Sequence, residues 1–406
     1  MRDIVYLLGA CPKVSRPKVL PSKICRKGRQ LARPLPCPKP RRPTILDKWP
    51  RIDSVVADEN KVADLYAEIE PLTTFQWQTT TPEILHPYHA PYNLALGKTA
   101  HVFRSDAREL THSTYLAMQE ISTSELIVMD NTYLNNITVR KELIQRYPDL
   151  VIGANPDSHA AVKEIYTWFT GTYLPTRFPT MFELVDEPKG ILNRVDGQVY
   201  PSEPPESAET ALGHLGSMMD EDLLFLLPAN DGGGYILSAF VNCFANGPHT
   251  RQRLQKNVRA IHAPIPGYED ELASRVDQWF DTLSAGKIVK RTNWAITDDN
   301  RMFVPEGHFP FSDVSEANPN IDCSKLYVRS ERQTLRRLQQ SGAIVFSLRT
   351  YIYPLKTIKD AGYGPMLVQA IDGLDRGNGP CISEYKQASM WQKQVTTFLE
   401  ANESRI

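Results

Sequence analysis

The chain has 406 residues, of which 41% are hydrophobic and 23% are charged, and its formal net charge is −1. This is an ordinary globular composition with enough apolar residues for a core, and the balanced charge gives no general reason to expect nucleic acid or a membrane as a partner. The sequence lacks a run of about 18 apolar residues, the length that a transmembrane helix requires, so it predicts no membrane span.

The N-terminal segment differs from the rest of the chain in its charge. Residues 1–51 contain 14 Lys or Arg but only two acidic residues, and residues 12–50 are rich in proline. Such a segment cannot bury enough apolar surface to fold by itself. The sequence therefore predicts a disordered, basic, Pro-rich arm over residues 1–50, followed by one domain over residues 51–406. An organelle transit peptide is the alternative for the arm, although a clear amphipathic helix is missing.

Three helices are predicted in the first half of the domain: a short one, a second that begins after Asn136 as a cap and ends before Pro148, and a third with apolar residues at helical spacing. These helices cover residues 59–69, 137–147 and 157–172. Residues 186–217 are polar and contain several prolines, so they are predicted to form a linker or a surface loop. The acidic run at residues 220–222 is predicted to be solvated.

In the second half, the apolar period changes from helical to strand-like, and a glycine turn between two apolar runs predicts a hairpin. Tight antiparallel turns interrupted by helices predict an α+β fold with its sheet core at about residues 220–355, rather than a doubly wound sheet. The predicted strands cover residues 223–227, 235–244, 288–296, 302–304, 326–328 and 343–353, and the predicted helices cover residues 268–283 and 330–338.

Three cysteines, Cys243, Cys323 and Cys381, are scattered through the domain. None forms a CxxC pair, and no group of cysteines has the spacing of a zinc site. The pattern is typical of reduced, buried thiols in an intracellular protein, and it predicts a cytoplasmic location.

The first candidate for chemistry is His262, which lies among apolar residues just before Pro264 and Pro266. Prolines constrain the backbone around the histidine, and rigid placement suits a metal ligand or a general base. The alternative is a buried histidine that bonds a backbone carbonyl, and this alternative is favoured for a single histidine considered alone.

A second candidate is the polar strand that contains Arg291 and Asn293. Because side chains alternate along a strand, these two residues are predicted to share one face with Ala295. That face either lines a pocket or is the solvent-facing side of the sheet.

A third candidate is the cluster of four arginines around Glu331, in residues 327–338. With a helix beginning near residue 330, Arg329, Arg332 and Arg336 are predicted to point at a common anionic ligand, since guanidinium groups and helix N-termini bind carboxylates and phosphates. The alternative is an exposed helix with intrahelical Glu–Arg pairs.

Motifs of several common enzyme classes are missing from the chain: it has no CxxCH, no HExxH, no Walker loop and no GxSxG. The glycine run at residues 232–234 belongs to the predicted hairpin turn and does not join a strand to a helix, so it does not predict a nucleotide-binding loop.

Other short motifs follow one another along the chain in a specific order. They are residues 126–133, Arg140, residues 160–172, 174–179, 221–224, 234–235, 261–266, 291–294, 329–335 and 341–346, and finally Tyr385, Lys386 and Trp391. Together, over roughly residues 85–400, they resemble the haem-dependent oxidative N-demethylase alpha-subunit-like family. Residues 329–335 are the strongest part of this resemblance, which depends on the order of the motifs and not on any one of them.

The resemblance implies a PAS-like haem-binding fold and heme b, with its iron, as the cofactor. It also implies a monooxygenase or oxidative N-demethylase that oxidises a small amine with O2. An external NAD(P)H-dependent reductase would supply the electrons, and an accessory subunit is a further partner that the resemblance suggests. Iron–oxygen chemistry belongs to the cofactor, while the protein sets the axial ligand, the polarity of the pocket and access to it.

The resemblance also assigns roles to individual residues. His262 is expected to be the axial metal ligand, because a neutral imidazole suits haem iron. Glu331 is expected either to orient an arginine or to deliver protons, and these two roles stay open. The cofactor-binding set is His262, Arg291, Arg329, Arg332 and Gln333, and the catalytic set is Glu331, Tyr133 and Asn293.

The chain departs from the family pattern at three places: Leu338-Gln339 replaces Leu-Pro, Ala245-Asn246-Gly247 replaces Pro-Ser-Gly, and residues 95–98 replace Met-Gly-Leu. The second and third of these differences could line the pocket, so they bear on the identity of the substrate more than on the binding of haem. Two other functions are considered: a haem-binding PAS-like sensor without turnover, and a haem-free partner subunit. No output domain is apparent after residue 355, which favours the enzyme over the sensor.

Overall fold

The structure, a computed structural model, describes residues 69–83, 118–245, 250–305, 321–375 and 382–401. The predicted arm lies outside these residues, as does the predicted helix over residues 59–69 apart from its last residue. Across the described ranges, no helix has both the length and the apolar character needed to cross a membrane.

Ten strands form two antiparallel sheets in this part of the chain. They are β1 (Gln119–Ile121), β2 (Ile152–Ala154), β3 (Phe182–Asp186), β4 (Lys189–Asn193), β5 (Gln198–Pro201), β6 (Asp222–Pro228), β7 (Tyr235–Val241), β8 (Ile288–Thr297), β9 (Tyr327–Arg337) and β10 (Ile344–Pro354). The large sheet has the order β1-β8-β9-β10-β6-β7-β2, and the small one has the order β3-β4-β5. The large antiparallel sheet confirms the predicted α+β class.

Helices pack on both sides of the large sheet and at its end. They are α1 (Tyr133–Arg146), α2 (Pro148–Val151), α3 (His159–Trp168), α4 (Leu174–Arg177), α5 (Ala208–Met218), α6 (Val258–His262), α7 (Ser274–Thr282), α8 (Leu355–Asp360), α9 (Gly364–Asp372), α10 (Ile382–Tyr385) and α11 (Ala388–Glu400). One π-helical segment joins α3 to α4, and another precedes α7. The predicted helix over residues 268–283 is therefore confirmed, as is the one over residues 157–172.

The two sides of the large sheet have different neighbours, because side chains alternate along each strand. On one side, Phe225 and Val345 pack with Ile137, Tyr166 and Leu212 from α1, α3 and α5. We call this side the core face. The opposite side carries Val289, Leu335 and Ile344, which pack under α6 and α7. We call that opposite side the site face, since the candidate residues described below lie on it.

Strand β9 corrects the predicted helix over residues 330–338. Residues Tyr327–Arg337 pair with β8 on one side and with β10 on the other along the whole length of the strand. Arg, Gln and Leu favour helices by intrinsic propensity, and this local preference misled the sequence prediction. The long-range ladder overrides it, because two neighbouring strands satisfy the backbone hydrogen bonds of a strand buried at the centre of a sheet.

Residues 186–217 are another correction, since they are not a linker. They contain β4, β5 and most of α5, and Ile191 is fully buried. The prolines that suggested a loop lie at the end of β5 and before α5, where a missing N–H costs little. Two smaller differences are that α1 begins at Tyr133, four residues before the predicted start, and that residues 302–304 do not form a strand.

The predicted hairpin is confirmed by β6 and β7, which pair antiparallel around the glycine turn. Gly232 and Gly234 both adopt positive φ, at 76° and 85°, a conformation that other residues rarely take. The predicted strand over residues 343–353 is confirmed by β10. The predicted buried thiols are confirmed for Cys243 and Cys323, which are buried and free, and the third body cysteine lies outside the described residues.

Candidate functional site

His262 is the last residue of α6, next to the site face. Its Nδ1 lies 2.8 Å from the carbonyl oxygen of Val258, one helical turn earlier, and its ring stacks on Tyr268 with centroids 4.9 Å apart. A carbonyl oxygen only accepts hydrogen bonds, so Nδ1 carries the hydrogen and Nε2 keeps its lone pair. No described residue hydrogen-bonds Nε2, which leaves this nitrogen available as a ligand atom.

Burial and two nearby arginines lower the pKa of His262. Burial lowers the pKa of His262, the Val258 carbonyl partly opposes this shift, and Arg291 and Arg253 lower the pKa further. The imidazole is therefore neutral at neutral pH. Arg291 has a buried Nε that no described residue hydrogen-bonds, and an unpartnered guanidinium nitrogen in a buried place indicates a site for an anionic group.

Glu331 lies at the centre of a small amide network on the same face. Gln333 Nε2 donates to Glu331 Oε2 at 2.9 Å, and Asn293 Nδ2 donates to the same oxygen at 3.3 Å. The strand register explains the arrangement, because Asn293 of β8 lies directly opposite Glu331 of β9, and Arg291 lies opposite Gln333. The other oxygen, Oε1, has no hydrogen-bond partner among the described residues, so it is free to accept one from a ligand.

Arg329 and Arg332 lie on opposite faces of β9, because three residues separate them on a strand. Arg329 lies on the site face, where its Nη1 donates to the Arg301 carbonyl at 3.2 Å and its Nη2 donates to the carbonyls of Phe244 and Met302. Only its buried Nε has no described partner. Arg332 lies on the core face, where it donates to the carbonyl oxygens of Glu125 and Leu126. The predicted convergence of Arg329, Arg332 and Arg336 on one ligand is therefore wrong.

Tyr133 is not brought together with the other predicted site residues. It lies in α1, fully buried in the core face. Its hydroxyl donates to the Met218 carbonyl at 2.7 Å and accepts from Asn193 Nδ2 at 2.9 Å. Burial holds the pKa of this phenol well above its ordinary value, so in this structure Tyr133 is a hydrogen-bonded residue of the core.

The acidic residues at 220–222, predicted to be solvated, are buried, which corrects that prediction. Asp222 Oδ1 lies 2.7 Å from Arg140 Nη1, and Asp220 Oδ2 lies 3.0 Å from Arg349 Nη2. Glu221 accepts a hydrogen bond from the Ser347 hydroxyl at 2.6 Å, while its Oε1 has no partner among the described residues. Three consecutive acids directly before an apolar strand were the available sequence signal, but their partners are distant in sequence.

The buried Glu221 leads to a prediction on pH dependence. Burial raises its pKa from 4.5 to about 7, although Arg332 and Arg349 oppose the shift. Because the folded pKa is raised, the contribution of this group to stability is complete below pH 4.5 and is lost as the pH rises through about 7. We expect Glu221→Gln to raise the free energy of unfolding at pH 8 by about 2 to 3 kcal/mol, measured by urea denaturation.

The matched control is Glu206→Gln at an exposed position, which is expected to change the free energy of unfolding by less than about 0.5 kcal/mol at either pH. At pH 5 the Glu221→Gln variant and the wild type should be nearly equal in stability. A Glu221→Gln variant that is less stable than wild type at pH 8 would mean that Glu221 is ionised and holds the nearby arginines in place.

The site face also carries apolar side chains between its polar groups. Ala295, Leu348 and Ile352 are half-buried there, directly across the strands from Arg329 and Gln333. These half-buried apolar side chains and the nearby guanidinium groups suit an apolar ligand with anionic substituents. Within the described part of the chain, no group of three or more His, Cys, Asp or Glu residues forms a separate metal site.

A groove of about 840 Å³ lies elsewhere, among α8, α9 and the end of α11. Lys359, Asp372 and Leu399 line it, and none of the candidate site residues does. Because this groove shares no residue with the candidate site, we treat it as separate from the site on the sheet.

The sequence was compared with models of known protein families. The model described as "Haem-dependent oxidative N-demethylase, alpha subunit-like" matches residues 117–396, which is more than half of the chain. The match includes the predicted site residues from Tyr133 to Gln333.

Proposed function

The chain belongs to the haem-dependent oxidative N-demethylase alpha-subunit-like family, and from this premise we propose that it is a haem-dependent oxidoreductase. The proposed reaction is the O2-dependent oxidation of a small amine, by N-demethylation or hydroxylation. We propose heme b as the cofactor, in a PAS-like domain over residues 51–406 that follows the basic arm. An external NAD(P)H-dependent reductase would supply electrons, with an accessory subunit as a further partner and the cytoplasm as the location.

The observation that carries the proposal is the geometry of His262. A histidine that binds a metal characteristically donates its other ring N–H to a backbone carbonyl or a carboxylate, which fixes its orientation. His262 makes this second contact with Val258, and stacking on Tyr268 fixes the ring further. His262 would therefore hold the haem iron, with Nε2 as the ligand atom.

The cationic side chains of the site face fit the propionates of haem. Arg291 has the unpartnered Nε, Arg253 is close enough to shift the pKa of the same histidine, and Arg329 lies farther along the face. Guanidinium groups bind carboxylates in two-point geometry. Gln333 would act on the site by holding Glu331, while Arg332 would support it from the core face.

Bound haem would supply the activation of oxygen and the transfer of electrons. The chain itself would bind and orient the amine. Glu331 Oε1 is free to accept an N–H of a protonated amine, and Asn293 and Gln333 hold the other oxygen of that carboxylate in place. Glu331 is thus the proposed acceptor for the proton at nitrogen, and Tyr133 would act only through the packing of the core.

The experiment that tests the proposal is a spectrum of the purified full chain after expression with a haem precursor. A Soret band near 400 nm in stoichiometric amount is expected for a b-type haem protein. Consumption of NADPH and O2 with a secondary amine and a reductase would then distinguish an enzyme from a sensor. A colourless chain that does not take up added haemin would overturn the proposal.

The two faces of the large sheet lead to a prediction on haem retention, which compares Arg291 on β8 with Arg332 on β9. We expect Arg291→Leu to weaken haemin binding about 10- to 150-fold, because a hydrogen bond to a charged group contributes about 1.5 to 3 kcal/mol. The free energy of unfolding should stay nearly unchanged. Absorbance titration with haemin measures the first effect, and urea denaturation measures the second.

Arg332→Met is the matched variant from the other face. It leaves the Glu125 and Leu126 carbonyls without their donor, so we expect the free energy of unfolding to fall by about 2 kcal/mol while haemin affinity is retained. A larger loss of haemin affinity in Arg332→Met than in Arg291→Leu would mean that Arg332, and not Arg291, binds the propionates.

A further inference from the structure

Lys386 lies in the turn between α10 and α11, where the chain meets the edge of β8. The turn is held firmly, because the fully buried Trp391 donates from Nε1 to the Lys386 carbonyl at 3.0 Å. The Lys386 ammonium donates to the Trp294 carbonyl and, at 3.2 Å, to Asn293 Oδ1. It also lies 5.2 Å from the centroid of the Trp294 ring.

The position of Lys386 determines which way the Asn293 amide points. An ammonium only donates hydrogen bonds, and a carboxylate only accepts them. Asn293 lies between the two, so its oxygen must face Lys386 and its NH2 group must face Glu331. The three residues thus form one directed chain from ammonium to amide to carboxylate.

We infer that Lys386 is a positioning residue of the proposed amine site: it fixes the Asn293 amide, which in turn holds Glu331 Oε2, so that Oε1 stays free for the N–H of a cationic amine. The inference rests on the proposed function of Glu331 as the amine acceptor. Without the ammonium, the amide can rotate and present its oxygen to the carboxylate, which repels it.

The charged groups around Lys386 are consistent with this role. Burial lowers its pKa to about 8, Glu331 on β9 raises the pKa, and Arg291 on β8 lowers it. Arg253 lies near the adjacent Tyr385. At pH 7 the ammonium form therefore prevails, and it donates to both of its acceptors.

A double-mutant cycle tests the inference, with dimethylammonium chloride as the probe and its dissociation constant measured at pH 7 by calorimetry. We expect Lys386→Met and Asn293→Leu each to weaken binding about tenfold, and the double variant to be no weaker than either single one, because both act on the same Glu331 oxygen. Lys386→Arg should recover most of the loss, since it keeps a cationic donor. Lys393→Met, an exposed lysine of α11, is the control that should change nothing.

Additive losses in the double variant would overturn the inference, because Lys386 would then act without Asn293. So would full binding by Lys386→Met, or a wild-type chain that does not bind the amine. Haemin titration of the same samples distinguishes a failure of the Lys386 inference from a failure of the proposed haem-dependent function. If the chain takes no haem, the haem proposal fails, and the same cycle on the haem-free chain still decides the role of Lys386.

Discussion

A His262→Ala chain is expected to bind haemin roughly 100-fold more weakly than wild type, or not at all. Even the partners that only support a metal ligand contribute about 10- to 100-fold to affinity, and His262 is the proposed ligand itself. The Soret band should be lost or shifted to that of a weakly ligated haem. Millimolar imidazole should restore the wild-type spectrum, because it can occupy the space that the side chain leaves and present the same nitrogen.

His159→Ala is the matched control, since His159 begins α3 on the other side of the sheet. That variant should bind haemin as wild type does. Circular dichroism of both variants shows whether the fold is retained. If His262→Ala keeps an unchanged spectrum, His262 is a structural residue that bonds Val258, and the ligand is another histidine, with His101 and His308, which lie outside the described residues, as the next candidates.

Local patterns predicted those parts of the fold whose signal lies within a few residues. The glycine turn and the two apolar runs on either side of it are enough to define the hairpin of β6 and β7. Strand β10 is rich in β-branched and aromatic residues, which suit a pleated, half-buried surface. Alternation also predicted correctly that Arg291 and Asn293 share a face of β8.

Strand β9 could not be predicted in the same way, because the groups that stabilise it as a strand lie in other parts of the chain. Its arginines are buried, and a buried guanidinium needs several acceptors. Arg337 finds them in the carbonyls of Leu283 and Gly342 and in the Tyr235 hydroxyl. These residues come from separate segments, so no short window of sequence indicates that an arginine-rich stretch belongs in the centre of a sheet.

The same limit applies to the candidate site. His262 and Glu331 were identified from their motifs, whereas Arg253 was not, and Lys386 was noted only as part of a family motif at the end of the domain. Both reach the site by folding, and a lone lysine or arginine in a polar stretch is usually a solvated residue. The folded chain relates Lys386 to the site through its hydrogen bond to Asn293, and Arg253 through its charge, which lowers the pKa of His262.

Arg349→Met is expected to lower the free energy of unfolding by about 3 to 5 kcal/mol, the typical cost of removing one partner of a buried ion pair. Arg349 is 1% exposed, and its Nη2 lies 2.8 Å from Asp130 Oδ2 and 3.0 Å from Asp220 Oδ2. Methionine fills much of the volume, but it leaves two buried carboxylates without their cation. Urea denaturation at pH 7 measures the loss.

The exposed pair of Arg194 and Glu183 provides the control, because an ion pair that is about half exposed contributes little. Arg194→Met should cost less than about 1 kcal/mol. The pH dependence supplies a second check on the cause. Burial raises the pKa of Asp220 to about 6 even though Arg349 lowers it, so removing the arginine raises that pKa further. At pH 5, which lies below both of these pKa values, Asp220 is protonated with or without the arginine, so the difference between wild type and Arg349→Met should shrink there. A loss of equal size at pH 5 and pH 7 would mean that the missing packing, and not the uncompensated carboxylates, destabilises the variant.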